Sequence, residues 1–159
     1  MSPLSIRPAV SADVPELIAF NIALAAETEG KALDVERLEA GVRSVLADPR
    51  KGRYFLATRG AEVVGQLMHS YEYSDWRDGE IWWLQSVYVA KAHRRRGVLA
   101  ALLASLRAEA EESPGVIGLR LYVEQQNAPA QASYARLGFS DGYYRVMELM
   151  FDAPSADAP

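Results

Sequence analysis

The stretch WWLQSVYV, residues 82–89, and the basic loop KAHRRRG, residues 91–97, decide the fold predicted for this chain. The first stretch is rich in aromatic and β-branched residues, which predicts a strand. Apolar residues recur at helical spacing over residues 98–112, and Ser-Pro-Gly at residues 113–115 ends this predicted helix. A strand followed by a glycine loop and a helix N-terminus directs free backbone N–H groups at one point. The sequence therefore predicts a phosphate or pyrophosphate site at this loop.

The loop matches neither of two common phosphate-binding motifs. No Gly-Lys-Ser/Thr ends it, so it is not a Walker A loop, and it has only Gly97 of the three glycines in a dinucleotide-binding fingerprint. It instead resembles the acyl-CoA pyrophosphate loop of the GCN5-related N-acetyltransferases (GNAT), written Arg/Gln-x-x-Gly-x-Gly/Ala. Here the loop reads RRRGVL, residues 94–99, with Leu99 in place of the last Gly or Ala.

A second motif strengthens the resemblance. Residues 127–139, NAPAQASYARLGF, follow the family pattern Asn-x-x-Ala-x-x-x-Tyr-x-x-x-Gly-Phe at every named position. The resemblance covers residues 4–151 and implies an α/β GNAT acyl-CoA N-acyltransferase fold. That fold has a mixed, mostly antiparallel central sheet of six to seven strands, flanked by about four helices.

Composition predicts one globular domain, residues 1–151, and a disordered C-terminal tail, residues 152–159. The chain has 159 residues, of which 50% are hydrophobic and 24% charged. No apolar run is long enough to span a membrane and no signal region is evident, so we expect a soluble, cytoplasmic protein with no membrane partner. With no cysteine and two histidines, we expect no disulfide and no metal site.

The distribution of charge argues against a nucleic-acid partner. The net charge is −4, yet the loop at residues 91–96 is strongly basic. A nucleic-acid binder is usually basic overall, with its charge spread along a face. One basic spot on an acidic chain is typical of a site for a small polyanion, such as the phosphates of coenzyme A.

The remaining segments predict the rest of the sheet and its helices. Helices are expected to begin at Asp13 and at Asp34, and Asn127 is expected to cap the helix that carries Tyr134. Besides the central strand, strands are predicted at residues 4–7, 54–58, 62–71, 116–123 and 143–151.

The resemblance assigns the cofactor-binding residues of an acetyl-CoA-dependent enzyme. They lie in the central strand, in the loop with the helix start, and at the second motif: Val87, Tyr88, Val89, Arg94, Arg95, Arg96, Gly97, Val98, Leu99, Ala100 and Asn127. The backbone N–H of Val87 is expected to stabilise the developing oxyanion, and the hydroxyl of Tyr134 to protonate the leaving thiolate. The alternative for Tyr134 is core packing, because it shares a helical face with Asn127 and Ala130.

The general base and the acceptor site are less well defined by the sequence. Many family members have a glutamate where this chain has Gln85, and a glutamine can only position a water. The other candidate bases are Glu27, Glu29, Glu80, Glu124 and His69. The acceptor is expected to contact Glu27, Glu29, Trp83 and Gln85, near an acidic turn at residues 75–80. Carboxylates beside aromatic rings favour a cation.

The sequence thus predicts an N-acetyltransferase that moves an acetyl group to a small cationic amine by direct attack in a ternary complex. Three alternatives remain open. The chain could be an acyl-CoA-binding regulatory domain without turnover, it could acetylate a protein N-terminus or lysine, or its tyrosine-rich end could serve a homodimer.

Overall fold

A computed structural model describes residues 2–151, which fall into two compact units, Met1–Asn127 and Ala128–Pro159. The disordered tail predicted at residues 152–159 lies outside the described residues. The first unit contains the whole sheet and three of the described α-helices, and the second contains one helix.

The sheet of the first unit is mixed and mostly antiparallel, as predicted. Its strands lie in chain order, β1-β2-β3-β4-β5, and only β4 and β5 run parallel. Parallel neighbours need a crossover connection, and the helix between β4 and β5 supplies it. The strands are β1 Leu4–Pro8, β2 Arg53–Arg59, β3 Glu62–Ser74, β4 Gly79–Val89 and β5 Val116–Leu121.

The prediction of six to seven strands was wrong: within residues 2–151 the sheet has five. The predicted last strand, residues 143–151, forms no strand in the structure. Tyr143, Met147 and Phe151 are more than nine-tenths exposed. Strand propensity reports how well a side chain fits a half-buried pleated surface, and these side chains are exposed instead.

Four α-helices lie in the described chain, in agreement with the prediction. They are α1 Val14–Glu29, α2 Val35–Ala47, α3 Val98–Glu112 and α4 Ala128–Arg136. Asp34 caps α2 by accepting a hydrogen bond from the Arg37 N–H at 3.1 Å. Asp13 does not cap α1, because its carboxylate instead accepts from Arg7 and from the Val10 N–H. None of these helices is long and apolar enough to cross a membrane.

The helices of the first unit pack on opposite faces of the sheet. Helix α3 lies against one face through Val98 and Leu102, which a side chain at Gly65 of β3 would contact. Helices α1 and α2 pack on the other face, where Leu17 and Met68 belong to one buried cluster. Each fully buried aliphatic side chain contributes about 1.5–3 kcal/mol, so these two layers fix the position of β4 between them.

Candidate active site

Strand β4 has one edge that is only half occupied. On one side it pairs with β3 as far as Val89, which lies opposite Gly65. On the other side its pairing with β5 ends at Leu84, opposite Leu121. Residues 85–89 therefore have no strand partner on the β5 side within Met1–Asn127. Unpaired backbone groups along an edge can bind an extended ligand as an added strand would be bound.

A bulge shapes this open edge. The register of β3 and β4 shifts between Gln66 and Met68, and Ser86 has a φ of 50°. Gln66 is fully buried and its Nε2 donates to the carbonyl of Ser86 at 3.0 Å, which holds the bulge in place. Its Oε1 is buried without a hydrogen bond in the described structure. Sequence reasoning missed Gln66, although an amide within the apolar run VVGQLM was a signal.

The N-terminus of α3 has unsatisfied backbone donors. Gly97 lies at the start of the helix with a φ of 79° and provides no side-chain cap. The N–H groups of Val98, Leu99 and Ala100 have no acceptor among the described residues. A Cβ built on Gly97 would meet no atom within 4 Å, so the space above the turn is open. These donors and the positive end of the helix dipole fit an anion.

The structure divides the three loop arginines into two groups. Arg94 donates to the carbonyl of Val89 at 2.9 Å and to Glu27 Oε2 at 2.6 Å, and its guanidinium lies over the Tyr88 ring. The side chains of Arg95 and Arg96 are exposed and have no ion pair or hydrogen bond within residues 2–151. Arg94 therefore secures the loop, while Arg95 and Arg96 remain available to a phosphate.

Glu27 lies in this loop network, although the sequence placed it at the acceptor site. Its carboxylate accepts from the hydroxyl of Tyr88 at 3.0 Å and lies 3.4 Å from Nζ of Lys91, besides its bond to Arg94. Burial alone would raise the pKa of Glu27, but the hydrogen bonds from Arg94 and Tyr88 outweigh it and hold the pKa below its ordinary value. Glu29, two residues further along α1, is exposed.

The other candidate bases are occupied by local contacts. Glu80 accepts from the indole N–H of Trp82 at 2.8 Å. His69 is fully buried, stacks on Trp82 with ring centroids 4.3 Å apart, and accepts from Arg53 at 3.2 Å. Burial, and then the charge of Arg53, lowers the pKa of His69 to about 4. The carboxylate of Glu124 accepts from the Gln126 N–H at 2.9 Å.

Gln85 and Trp83 lie together on the sheet face that α1 and α2 cover further along. Gln85 is opposite Met68 and Trp83 is opposite Ser70 in the pairing of β3 with β4. Nε2 of Gln85 donates to the hydroxyl of Ser70 at 2.5 Å, which leaves its Oε1 as an acceptor. Both residues are partly exposed, as a contact surface for an acceptor requires.

The second unit contains Tyr134, on α4. Its ring packs edge-on against Phe139 with centroids 5.7 Å apart, and Gly138, with a φ of 97°, lies just after the helix. Burial raises the pKa of Tyr134 to about 12, and its hydroxyl has no hydrogen-bond partner in the described chain. Asn127 is the last residue of the first unit, and its N–H donates to the carbonyl of Glu124 at 3.0 Å.

Two further observations concern potential metal ligands and the acidic turn. No group of three potential metal ligands occurs within residues 2–151. In the turn between β3 and β4, Asp78 accepts from the hydroxyl of Tyr73, and Asp75 accepts from the Trp76 N–H at 2.9 Å. Two of the turn carboxylates therefore have partners within the turn itself.

Comparison with known proteins gives consistent matches. The profile of the acetyltransferase (GNAT) family matches residues 19–139. The mycothiol acetyltransferase of Corynebacterium aurimucosum is 32% identical over 111 residues, which are 67% of this chain and 36% of that relative. This chain thus spans little more than a third of the curated relative's length.

Solved structures match over nearly the whole chain. The crystal structure of a possible acetyltransferase from Clostridium difficile 630 has 40% identity and a TM-score of 0.88, over 94% of this chain and 99% of that one. A predicted acetyltransferase from Clostridium acetobutylicum, crystallised with acetyl-CoA, has 16% identity and a TM-score of 0.73, over 92% and 96% of the two chains. The family profile covers most of the sequence, and this protein therefore belongs to the GNAT family of acetyltransferases.

Proposed function

We propose that the protein transfers an acetyl group from acetyl-CoA to the amino group of a small cationic molecule, by direct attack within a ternary complex. The observation that carries this proposal is the open edge of β4 leading to the unsatisfied N–H groups of α3. Family membership supports the reaction class, and the relative from Clostridium acetobutylicum, crystallised with acetyl-CoA, supports the choice of donor.

The residues on this edge fit an acyl-CoA in shape and charge. Residues 85–89 offer backbone groups to an extended pantetheine arm, and Val89 already uses its carbonyl to bind Arg94. The N–H groups of residues 98–100, with Arg95 and Arg96, offer donors and positive charge to a pyrophosphate. The open space above Gly97 lets a phosphate approach the backbone closely.

Each chemical step has a candidate residue. Acetyl-CoA would supply the acetyl group as an activated thioester. The backbone N–H of Val87 would stabilise negative charge that develops on the carbonyl oxygen. Tyr134 would give its phenolic proton to the departing sulfur, and its raised pKa keeps that proton in place at neutral pH.

The acceptor amine must lose a proton, and Gln85 is proposed to help. An alkylamine with a pKa near 10.4 costs roughly 4–5 kcal/mol to deprotonate at neutral pH. Glutamine is no base, but Oε1 of Gln85 can hold a water that passes the proton on to bulk solvent, since Nε2 is already bound to Ser70. Proton transfer through one ordered water keeps the geometry that general base catalysis needs.

Two measurements test the proposal together. Acetyl-CoA should raise the melting temperature, because binding at a hundredfold excess over Kd adds about 2.7 kcal/mol, whereas acetate and adenine should not. A screen of small amines, acidic amino acids and peptides with acetyl-CoA should then show a gain of one acetyl unit, detected by mass spectrometry, on a cationic amine. Binding without transfer would indicate a silent acyl-CoA-binding domain, and modification of peptides alone would indicate a protein acetyltransferase. No response to acetyl-CoA would refute the proposal.

A further inference from the structure

Glu72 and Arg120 form an ion pair beside the rings of Trp83 and Tyr122, on the sheet face that α1 and α2 partly cover. Met68 packs under these helices, and the two-residue alternation of a strand places Glu72 on the same face. Trp83 of β4 lies opposite Arg120 of β5. We call Glu72, Trp83, Arg120 and Tyr122 the β3–β5 platform.

The contacts within the platform leave specific polar atoms unused. Oε2 of Glu72 accepts from both the indole N–H of Trp83 and NH1 of Arg120, the latter at 2.9 Å. The Arg120 guanidinium lies 5.7 Å from the Trp83 ring, and the rings of Trp83 and Tyr122 are 4.4 Å apart. Oε1 of Glu72 and NH2 of Arg120 have no partner in the described part of the chain.

The Glu72–Arg120 ion pair is too exposed to contribute much to the stability of the fold. The side chains of Glu72 and Arg120 are 43% and 33% exposed. Ion pairs at such positions contribute about 0–1 kcal/mol, because water screens them and both side chains lose freedom. Yet the pair is held in one geometry by a tryptophan N–H and by a cation–π contact. A fixed carboxylate beside a fixed guanidinium, each with a free edge, is a binding surface for a group that carries both charges.

The distance to the reaction centre shows which part of an acceptor could reach the platform. Trp83 precedes Val87 by four residues on the same strand, and a regular strand rises about 3.3 Å per residue, so the two lie at most roughly 13 Å apart, and the bulge at Ser86 shortens this distance. The platform therefore cannot touch the amine that is acetylated at Val87. It can hold the far end of an acceptor whose two functional groups lie roughly 6 Å or more apart, because four methylene groups span about 6 Å and a hydrogen bond at each end adds about 3 Å.

We propose that the platform binds the α-amino acid head of a diamino acid acceptor, and this rests on the proposed function. Oε1 of Glu72 accepts from the α-ammonium group, and Arg120 donates to the α-carboxylate. The rings of Trp83 and Tyr122 flank the methylene chain, which directs the terminal amine along β4 towards Gln85. This defines the small cationic acceptor as one with a zwitterionic head, such as lysine or ornithine.

Three matched acceptors separate the two polar contacts. Lysine carries both head groups, 1,5-diaminopentane lacks the carboxylate, and 6-aminohexanoate lacks the α-ammonium group. We expect kcat/KM for lysine to exceed that for each of the others by at least tenfold, because a missing group leaves one platform charge desolvated and unmatched. Ornithine compared with lysine then reports the best chain length.

Variants assign each contact. Arg120→Gln should remove the preference for lysine over 1,5-diaminopentane, and Glu72→Gln should remove the preference for lysine over 6-aminohexanoate. Both should keep the wild-type affinity for acetyl-CoA in calorimetry. The exposed pair of Arg107 and Glu111 on α3 is the matched control, and Arg107→Gln should change no preference. If the ion pair has only a structural role, the variants should instead lower the melting temperature and reduce kcat/KM equally for all three acceptors.

The outcomes distinguish this inference from the function on which it rests. If acetyl-CoA binds and amines are acetylated, but lysine has no advantage or the variants retain it, the platform proposal is wrong and the enzyme remains. If acetyl-CoA binds and none of the three acceptors is acetylated, calorimetry of lysine with the CoA complex decides, and absence of binding overturns the proposal. If acetyl-CoA does not bind, the proposed function itself fails.

Discussion

Single residues in this protein take their properties from burial as much as from their type. Tyr134 is an ordinary phenol whose burial raises its pKa to about 12, so the hydroxyl stays protonated through the physiological range. Glu27 is partly buried too, but hydrogen bonds from Arg94 and Tyr88, with the charges of Arg94 and Lys91, outweigh the burial and keep the carboxylate charged. Burial without a partner thus keeps Tyr134 protonated, whereas hydrogen bonds and positive charge keep Glu27 anionic.

Replacing Tyr134 by phenylalanine tests its proposed role as an acid. Phenylalanine keeps the edge-on contact with Phe139 and removes only the hydroxyl, which has no partner in the described chain. We expect kcat to fall by about 10²-fold, at the low end of general acid effects, with acetyl-CoA affinity and melting temperature unchanged. Normal turnover in steady-state kinetics would make Tyr134 a packing residue, and Phe139→Leu serves as the control for packing alone.

At the scale of elements, one carboxylate joins three parts of the first unit. Glu27, near the end of α1, binds Tyr88 of β4 and both Lys91 and Arg94 of the loop before α3. The loop that would hold a pyrophosphate is therefore attached to the C-terminal end of α1. Charge-assisted hydrogen bonds of this kind are worth about 1.5–3 kcal/mol when partly buried, so loss of these Glu27 contacts should measurably lower stability.

A pair of glutamine variants distinguishes a role of Glu27 in holding the loop from a role in acceptor binding. We expect Glu27→Gln to lower the melting temperature by about 2–4 °C, equivalent to roughly 1 kcal/mol in a chain of this size, because the loop loses its anionic partner. Glu29→Gln, at an exposed position on the same helix, should leave the melting temperature unchanged. A raised KM for the acceptor with unchanged thermal stability in Glu27→Gln would instead indicate that Glu27 contacts the acceptor.

At the scale of the whole molecule, a buried aromatic and charged cluster couples the sheet to α3. Arg53 donates to His69 and pairs with Glu109 of α3 at 2.5 Å, and its guanidinium lies over the rings of Phe55 and Trp82. His69 accepts from Arg53, so the imidazole must stay neutral for this contact to exist. Global stability should therefore depend on the protonation state of His69.

The pH dependence of unfolding tests this cluster. In the folded protein the pKa of His69 is about 4, against about 6.5 for an unfolded histidine, so between these values the unfolded chain binds more protons. The stabilising contribution is complete above pH 6.5 and is lost as the pH falls towards 4, by up to about 3 kcal/mol. Denaturant titrations from pH 7 to 4 should show this loss, and a His69→Gln variant should show a shallower dependence.

A spectroscopic control is available because the chain has two histidines. The ring protons of His69 should not titrate in NMR spectra above about pH 5, and a His93→Gln variant identifies which signal belongs to His69. A normal titration of His69 near pH 6.5 in the folded protein would contradict the account of the cluster.

Sequence patterns predicted the helices and the sequence of strand, glycine turn and helix N-terminus around Gly97, because each depends on local features. Helical spacing of leucines, a capping aspartate at Asp34 and a glycine with a positive φ at Gly97 act within a few residues of themselves. The two family motifs were likewise continuous stretches, and the family profile spans both of them. Strand pairing at residues 143–151 was predicted wrongly, because propensity says nothing about whether a neighbouring strand is present.

The tertiary structure alone decided which side chains meet. The sequence alone indicated neither that Arg94 turns away to Glu27 while Arg95 and Arg96 stay available, nor that buried Gln66 holds the bulge of β4. Glu72 and Arg120 are 48 positions apart along the chain, and they pair only because β4 lies between their strands. Contacts of this kind depend on strand order and register, which distant parts of the chain set together, whereas turns and helix caps are set by neighbouring residues.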